Sequence, residues 1–242
     1  MPTAAERKAL RGGLQKLNEN MVTLAELSEL SIRKAVESLA HLDPESSQEV
    51  FTLDEEIYAL QLEVERTCVD LIALHAPVAG DLRTITTSLK ITTDLDRIGR
   101  YAKDVAETTL QIRQARPAGL DKVPNLSKMV EQTIEMVDAA VDAFVRRDAE
   151  SVRNLGEVDD TVDAMHDEIF HDIVNDMKNG SLDVEVGARY ILVVRHLERI
   201  ADHAVNIGER VVYMVTGERV PRVRAADRAK GTNPAWPLGR DS

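Results

Sequence analysis

DLRTITTSLKITTDLDRIGRYAKDVAE (Asp81–Glu107) and DVEVGARYILVVRHLERIADHAVNIGE (Asp183–Glu209) are two versions of one sequence pattern. They align without a gap at an offset of 102 residues. Identical pairs include Leu95 with Leu197, Arg97 with Arg199, Ile98 with Ile200, Ala102 with Ala204, and Glu107 with Glu209. Two copies at so long a period are too few for a solenoid, so they predict one domain that occurs twice in the chain.

Each copy carries its apolar residues at the spacing of an amphipathic helix. In the first copy Leu95, Ile98 and Ala102 form one stripe, and the second copy repeats it. Proline, glycine and capping residues then divide the chain into six helices. The predicted helices run roughly from Leu14 to Leu42, from a cap at Asp43-Pro44 to His75, from Pro77 to Arg113, from Leu126 to Arg147, from a cap at Asp148 to Lys178, and from Val184 to Val215.

These helices predict an all-α fold of two three-helix bundles related by an internal pseudo-twofold repeat. We expect the first bundle over residues 1–116 and the second over residues 126–217. Residues 117–125 fall in a stretch rich in proline and glycine and are predicted to be a linker. Residues 218–242 have no apolar period and contain three prolines, which predicts a disordered tail.

The composition excludes several classes of protein. The 242 residues are 43% hydrophobic but only 3% aromatic, which favours an aliphatic core of packed helices. A formal net charge of −12 disfavours binding to nucleic acid and direct anchoring on an anionic membrane. No stretch approaches the ~20 consecutive apolar residues of a membrane-spanning helix. The single cysteine, Cys68, excludes an internal disulfide, and its apolar neighbours predict a buried, inert thiol. We therefore expect a soluble cytoplasmic protein.

Paired carboxylates mark two helices of the second half. Asp159 and Asp163 are four residues apart on one helix, and Glu198 and Asp202 on another. Residues four apart share a helix face, so two adjacent helices can direct all four carboxylates to one place. Helical bundles build carboxylate metal sites in this way, and a cation would offset the repulsion between the like charges. The spacing alone also fits an ordinary solvated helix face, so both interpretations stay open.

The first half carries the same pattern in altered form. Its corresponding pairs are Asp54 with Tyr58 and Asp96 with Arg100. None of the paired acids is the Glu of a Glu-x-x-His motif of the ferritin-like kind, which argues against an oxidase. A Gly-rich phosphate loop, a G-x-S-x-G motif and an H-E-x-x-H motif are also missing from the sequence. The sequence therefore predicts no catalytic centre, and we expect a protein that is not an enzyme.

Three segments are distinctive as a set: PVAGDLR (Pro77–Arg83), LERIAD (Leu197–Asp202) and YMVTGE (Tyr213–Glu218). Together they resemble the signatures of the PhoU family, regulators of phosphate uptake. The likeness extends over roughly Leu14 to Glu218 and leaves only the tail outside it. It implies a pair of three-helix bundles with pseudo-twofold symmetry, in agreement with the repeat.

The resemblance also implies a function. Proteins of this family are cytoplasmic negative regulators of the phosphate regulon, and they are thought to connect the ATPase subunit of the phosphate ABC transporter with the phosphate-sensing histidine kinase. Members commonly form homodimers, so this chain is expected to do the same and to reach the membrane only through its partners. The alternatives are a phosphatase or oxidase that uses a carboxylate-bound metal, and a helical adaptor unrelated to phosphate.

Some family members bind multinuclear iron or zinc clusters through E/D-x-x-x-D motifs. That motif is intact at Asp159–Asp163 and Glu198–Asp202, which gives four expected metal ligands in the second bundle. In the first bundle Arg100 occupies a ligand position with a permanent positive charge. There we expect a salt bridge from Arg100 to Asp96 or Asp104 in place of a metal.

Overall fold

The computed structural model describes residues 4–115, 123 and 125–220. Six α-helices account for most of them, and no strand occurs within these ranges. The helices are α1 (Ala4–His41), α2 (Pro44–His75), α3 (Ala79–Ala115), α4 (Leu126–Arg146), α5 (Leu155–Asn179) and α6 (Val184–Thr216). In this part of the chain, none of the helices combines the length and the apolar character that crossing a bilayer requires.

The all-α fold of six helices in two groups of three is therefore confirmed. The helices α1, α2 and α3 pack on one another, and α4, α5 and α6 form the second group. The predicted cap at the start of α2 is also confirmed, because the Asp43 carboxylate accepts hydrogen bonds from the backbone N–H groups of Glu45 and Ser46. Gly180 ends α5 with a φ of 79°, a left-handed conformation that glycine adopts without strain.

Two predicted helix starts are wrong. The first helix begins at Ala4 rather than at Leu14, since the charged segment before Leu14 continues the helix as an exposed extension. The fifth begins at Leu155 rather than after Asp148. The Asp148 carboxylate does accept hydrogen bonds from the N–H groups of Glu150 and Ser151, but it caps a separate turn ahead of the helix.

Most of the predicted linker and tail lies outside the described residues. Within the linker the structure describes only Val123, which is buried, and Asn125. Within the tail it describes residues 218–220, and the side chain of Val220 packs half-buried against the hydrophobic core. The predicted disorder of residues 221–242 falls entirely outside the described part and stays a prediction.

The two bundles share one hydrophobic core. Buried aliphatic side chains from all six helices form a single continuous cluster, and α3 and α6 pack together more extensively than any other pair of helices. The two helices are antiparallel, because from one contact to the next the residue number increases along α3 and decreases along α6. Such contacts are Lys90 with Arg210, Asp94 with His203, Tyr101 with His196, and Gln111 with Arg189.

A buried carboxylate lies at this helix pair. Asp94 is only 4% exposed, and its Oδ1 lies 2.9 Å from Nδ1 of His203. Its Oδ2 accepts a hydrogen bond from the guanidinium of Arg210, which also donates to the backbone carbonyl of Lys90. A buried charge is tolerated only when it is paired and hydrogen-bonded, so these contacts fix the register between the bundles.

The pseudo-twofold repeat places a different contact at the equivalent point. Shifting Asp94 and His203 by 102 residues gives His196 and Tyr101. These two rings lie 5.8 Å apart, and Tyr101 is also 5.8 Å from the ring of His203. Burial lowers the pKa of His196, against the opposing effect of Asp104 at 3.8 Å. One side of the junction is thus an ion pair and the other an aromatic contact.

Replacing Asp94 should destabilise the whole molecule. We expect Asp94→Ala to lower the free energy of unfolding by about 2–4 kcal/mol, because Arg210 and His203 lose their shared acceptor. Urea unfolding followed by circular dichroism measures the change. Asp104→Ala is the matched control, with an expected loss below about 1 kcal/mol because its contact to His196 is long and half-exposed. Equal losses in the two variants would contradict this account of the junction.

A second acid, at the contact between the two bundles, should make the stability of the protein depend on pH. Glu29 on α1 is half-buried, and burial together with the charge of Asp138 on α4 raises its pKa from 4.5 to about 7. The charges of Asp142 and Glu26 raise this pKa further, and the charge of Arg33 lowers it. Between these two pH values the folded chain binds more protons than the unfolded chain. The free energy of unfolding therefore falls as the pH rises from about 4.5 to 7.

We expect Glu29→Gln to remove this dependence. At pH 8 the variant should be more stable than the natural protein by about 1 kcal/mol, a value reduced for the solvent screening of a half-exposed group. Near pH 4.5 the two proteins should unfold alike. Glu56→Gln, at an exposed position of α2, is the control and should change stability equally at both pH values. A gain from Glu29→Gln that is the same at both pH values would contradict the prediction.

Candidate functional site

The four predicted metal ligands lie on two helices that pack against each other, α5 and α6. Asp159 is buried on α5, with 6% of its surface exposed, and Asp163 is half-buried one turn later. Glu198 and Asp202 occupy successive turns of α6, and both are partly buried. The structure therefore places all four on the second bundle, as the spacing predicts.

Glu198 is held by basic neighbours. Its carboxylate forms a salt bridge with the guanidinium of Arg195, one turn earlier on α6. Nε2 of His166 on α5 lies 4.0 Å from the same carboxylate. Sequence reasoning missed both neighbours, although the signal was there: Arg195 precedes Glu198 by three residues, and His166 follows Asp163 by three.

Asp202 is more exposed than Glu198. Its side chain is 42% exposed, and its Oδ2 lies 3.7 Å from the guanidinium of Arg199. Burial raises the pKa of Asp202 above its ordinary value, and the carboxylate of Glu198 raises it further. The charges of Arg199, His203 and Arg195 act in the opposite direction. Repulsion between Glu198 and Asp202, which the sequence implies, is therefore present in the fold.

The described arrangement does not gather these acids around a common point. Within residues 4–115, 123 and 125–220, no group of three or more His, Cys, Asp or Glu side chains is arranged to hold a metal ion. Carboxylates and an imidazole suit iron or zinc in type. As placed, however, Glu198 contacts Arg195, and a metal would require this carboxylate to exchange its cationic partner. The metal site at Asp159, Asp163, Glu198 and Asp202 stays a prediction.

The equivalent face of the first bundle is closed by ion pairs. Nε of Arg100 lies 3.0 Å from Asp96 Oδ2, so the predicted salt bridge is confirmed with Asp96 as the partner. The guanidinium also lies 5.7 Å from the centre of the Tyr58 ring. Nζ of Lys103 lies 3.0 Å from Oδ2 of Asp54, a pair that sequence reasoning did not identify. Both acids of this face thus have a cation beside them.

Cys68 contributes no chemistry to either face. It is fully buried on α2, and burial raises the pKa of its thiol to about 12. Its sulfur contacts the backbone carbonyl of Ile85 at 3.7 Å. The predicted burial of the thiol is confirmed, and its raised pKa disfavours the thiolate that a nucleophile requires.

The chain matches a known protein family over both bundles. The sequence pattern of the PhoU domain covers residues 21–109 and 126–211, so each matched range falls on one set of three helices. Among relatives, the phosphate-specific transport system accessory protein PhoU homolog of Deinococcus radiodurans is 35% identical over 213 residues, which is 88% of this chain and 99% of the relative.

Two solved structures share the fold. The crystal structure of PhoU from Pseudomonas aeruginosa matches with a TM-score of 0.81 and 30% identity, over 86% of this chain and 99% of that one. The phosphate transport system regulatory protein PhoU from Streptococcus pneumoniae matches with a TM-score of 0.79 and 28% identity, over 88% of this chain and 100% of that one. Sequence and structure therefore agree over nearly the whole length of these proteins.

Proposed function

Since the chain belongs to the PhoU family, we propose that it is a cytoplasmic regulator of phosphate uptake that represses the phosphate regulon when phosphate is plentiful. The observation that carries this proposal is the PhoU-domain match on both bundles, together with relatives named for phosphate-specific transport. The role is regulatory and involves no catalytic turnover.

The proposed partners are the ATPase subunit of the phosphate ABC transporter and the phosphate-sensing histidine kinase. An adaptor between two partners requires two different surfaces, and the repeat supplies them. The first bundle presents Tyr58 and Arg100 where the second presents Asp163 and Asp202. One face therefore carries an aromatic ring and a guanidinium where the other carries two carboxylates, although both occupy equivalent places in the fold. This divergence supports separate docking of the two partners.

We further propose that the protein acts as a homodimer and reaches the membrane only through the transporter. Its net charge of −12 favours protein partners over nucleic acid and over an anionic lipid surface.

The second bundle is the proposed place for an iron or zinc cluster. Asp159, Asp163, Glu198 and Asp202 would be the ligands, because all four belong to the intact motif and lie on two packed helices. A bound cation would relieve the repulsion that raises the pKa of Asp202. Binding would also require Glu198 to leave Arg195.

Deleting the gene should derepress the high-affinity phosphate transporter in phosphate-rich medium, because the repressing link between transporter and kinase is lost. Transcript levels of the transporter genes, measured in phosphate-rich and in phosphate-limited medium, test this expectation. Reintroducing the natural chain should restore repression. Unchanged transporter expression in the deletion strain would count against the proposed role.

The same strain can test whether the two faces serve different partners. A first-face variant (Tyr58→Ala with Arg100→Ala) and a second-face variant (Asp163→Asn with Asp202→Asn) would be expressed as tagged proteins. We expect each to lose one partner, the ATPase subunit or the kinase, while it retains the other in a pull-down. Loss of both partners from a well-folded single-face variant would contradict separate docking.

Metal content tests the proposed cluster. Protein purified from cells should contain iron or zinc by elemental analysis, and Glu198→Gln combined with Asp202→Asn should abolish it. In the metal-free state the same double variant should melt at a higher temperature than the natural protein at neutral pH. The reason is that a carboxylate with a raised pKa lowers stability as the pH rises through its titration range, and the amide does not.

Asp96→Asn in the first bundle is the matched control. It removes an acid at the equivalent position, but Arg100 already provides the positive charge there, so the metal content should not change. An equal metal content in the natural protein and in the Glu198/Asp202 variant would show that these acids are not metal ligands and form an ordinary solvated helix surface.

A further inference from the structure

A cavity of about 620 Å³ opens at one end of the junction between the bundles. Its walls come from α3, from the last turns of α6, and from the residues that follow α6 as far as Val220. This volume is in the range of small-molecule sites. The cavity is separate from the acidic pairs of the second bundle and from the ion-paired face of the first, since none of those residues lines it.

Three cations line this cavity: Lys90 of α3, Arg210 of α6, and Arg219 beyond the end of α6. Glu209 is the one carboxylate among the described lining residues. The amide of Asn206 and the phenol of Tyr213 add neutral hydrogen-bond donors. In a chain with a net charge of −12, a cavity in which cations outnumber acids by three to one is a local reversal of charge.

The two arginines are held in place by the fold. Arg210 contacts the buried Asp94 and the carbonyl of Lys90 through one terminal nitrogen of a guanidinium that has five N–H donors. The guanidinium of Arg219 lies over the ring of Tyr213, 5.6 Å from its centre. A ligand therefore meets guanidinium groups that are already oriented, which lowers the entropic cost of binding.

The other end of the same junction is a natural comparison. The shift of 102 residues that relates the bundles replaces Lys90 by Leu192 and Arg210 by Thr108, and it replaces Asn206 by Asp104. The shift also replaces Thr87 by Arg189, so the equivalent end has one cation on these helices instead of two, and it has an additional acid. The excess of positive charge is thus not a consequence of the repeat.

We infer that this cavity binds a doubly or multiply charged oxyanion of the phosphate type, either free in solution or as the phosphate group of a nucleotide, with Lys90, Arg210 and Arg219 as its cationic contacts. Arginine matches the oxygen geometry of such anions with paired N–H donors, and lysine adds a point charge. Glu209 and the buried Asp94, which pairs with Arg210, offset two of the three positive charges. The several N–H donors of the two guanidinium groups match the three or more oxygens of such an anion better than the two oxygens of a simple carboxylate. The inference goes beyond the proposed regulatory role, because it concerns a ligand of the purified protein.

Isothermal titration calorimetry on the full chain tests the inference, with inorganic phosphate, sulfate, pyrophosphate, ATP and acetate as probes. We expect saturable binding of at least one divalent or more highly charged probe, and much weaker binding of acetate. In the double variant Lys90→Gln with Arg219→Gln, that affinity should fall by at least ~10-fold. Arg210 is left unchanged because it also holds Asp94.

Arg189→Gln, near the opposite end of the junction, is the control and should bind as the natural protein does. Circular dichroism checks that each variant is folded. Tighter binding of phosphate and sulfate than of ATP would indicate a free anion, and tighter binding of ATP would indicate a nucleotide. The inference is overturned if no probe binds saturably, if acetate binds as tightly as the divalent anions, or if the double variant retains full affinity.

Discussion

The packing of α3 against α6 is the constraint on which the rest of the molecule depends. These two helices connect the bundles, and at their contact the buried carboxylate of Asp94 is satisfied by His203 and Arg210 of the other bundle. A register shift by one turn would leave that carboxylate buried without its partners, at a cost of several kcal/mol. Aliphatic packing alone tolerates such shifts more easily, because apolar contacts are not directional. The polar contacts therefore select one arrangement of the two bundles.

The repeat has kept the fold and changed the surfaces. Equivalent positions carry Arg100 in one bundle and Asp202 in the other, so a salt bridge to Asp96 on the first face corresponds to the repulsion from Glu198 on the second. The junction has diverged in the same way, with three cations collected around the cavity at one end. A duplicated scaffold with unlike faces suits the proposed docking of two different partners.

The proposed docking faces and the proposed anion site occupy separate parts of the molecule. The face with Tyr58 and Arg100 belongs to the first bundle and the face with Asp163 and Asp202 to the second, whereas the cationic cavity is formed where the bundles meet. Arg210 belongs both to the cavity wall and to the contact with Asp94 that fixes the register. An anion in the cavity would therefore act on the same guanidinium that connects the bundles, which gives a physical route from a bound ligand to their relative position.

Short-range features were predictable from the sequence, and contacts between helices were not. The six helices, the repeat, and the pair of Asp96 with Arg100 follow from spacings of three or four residues, which the geometry of one helix fixes. The pairs of Lys103 with Asp54 and of Arg210 with Asp94 join residues 49 and 116 positions apart. Such pairs depend on the register between helices, which the packing of every side chain along their contact decides together. The sequence by itself thus determined the helices and the residues on each face. Only the tertiary structure decided that Glu198 of α6 lies near His166 of α5, and that a cationic cavity forms at one end of the junction.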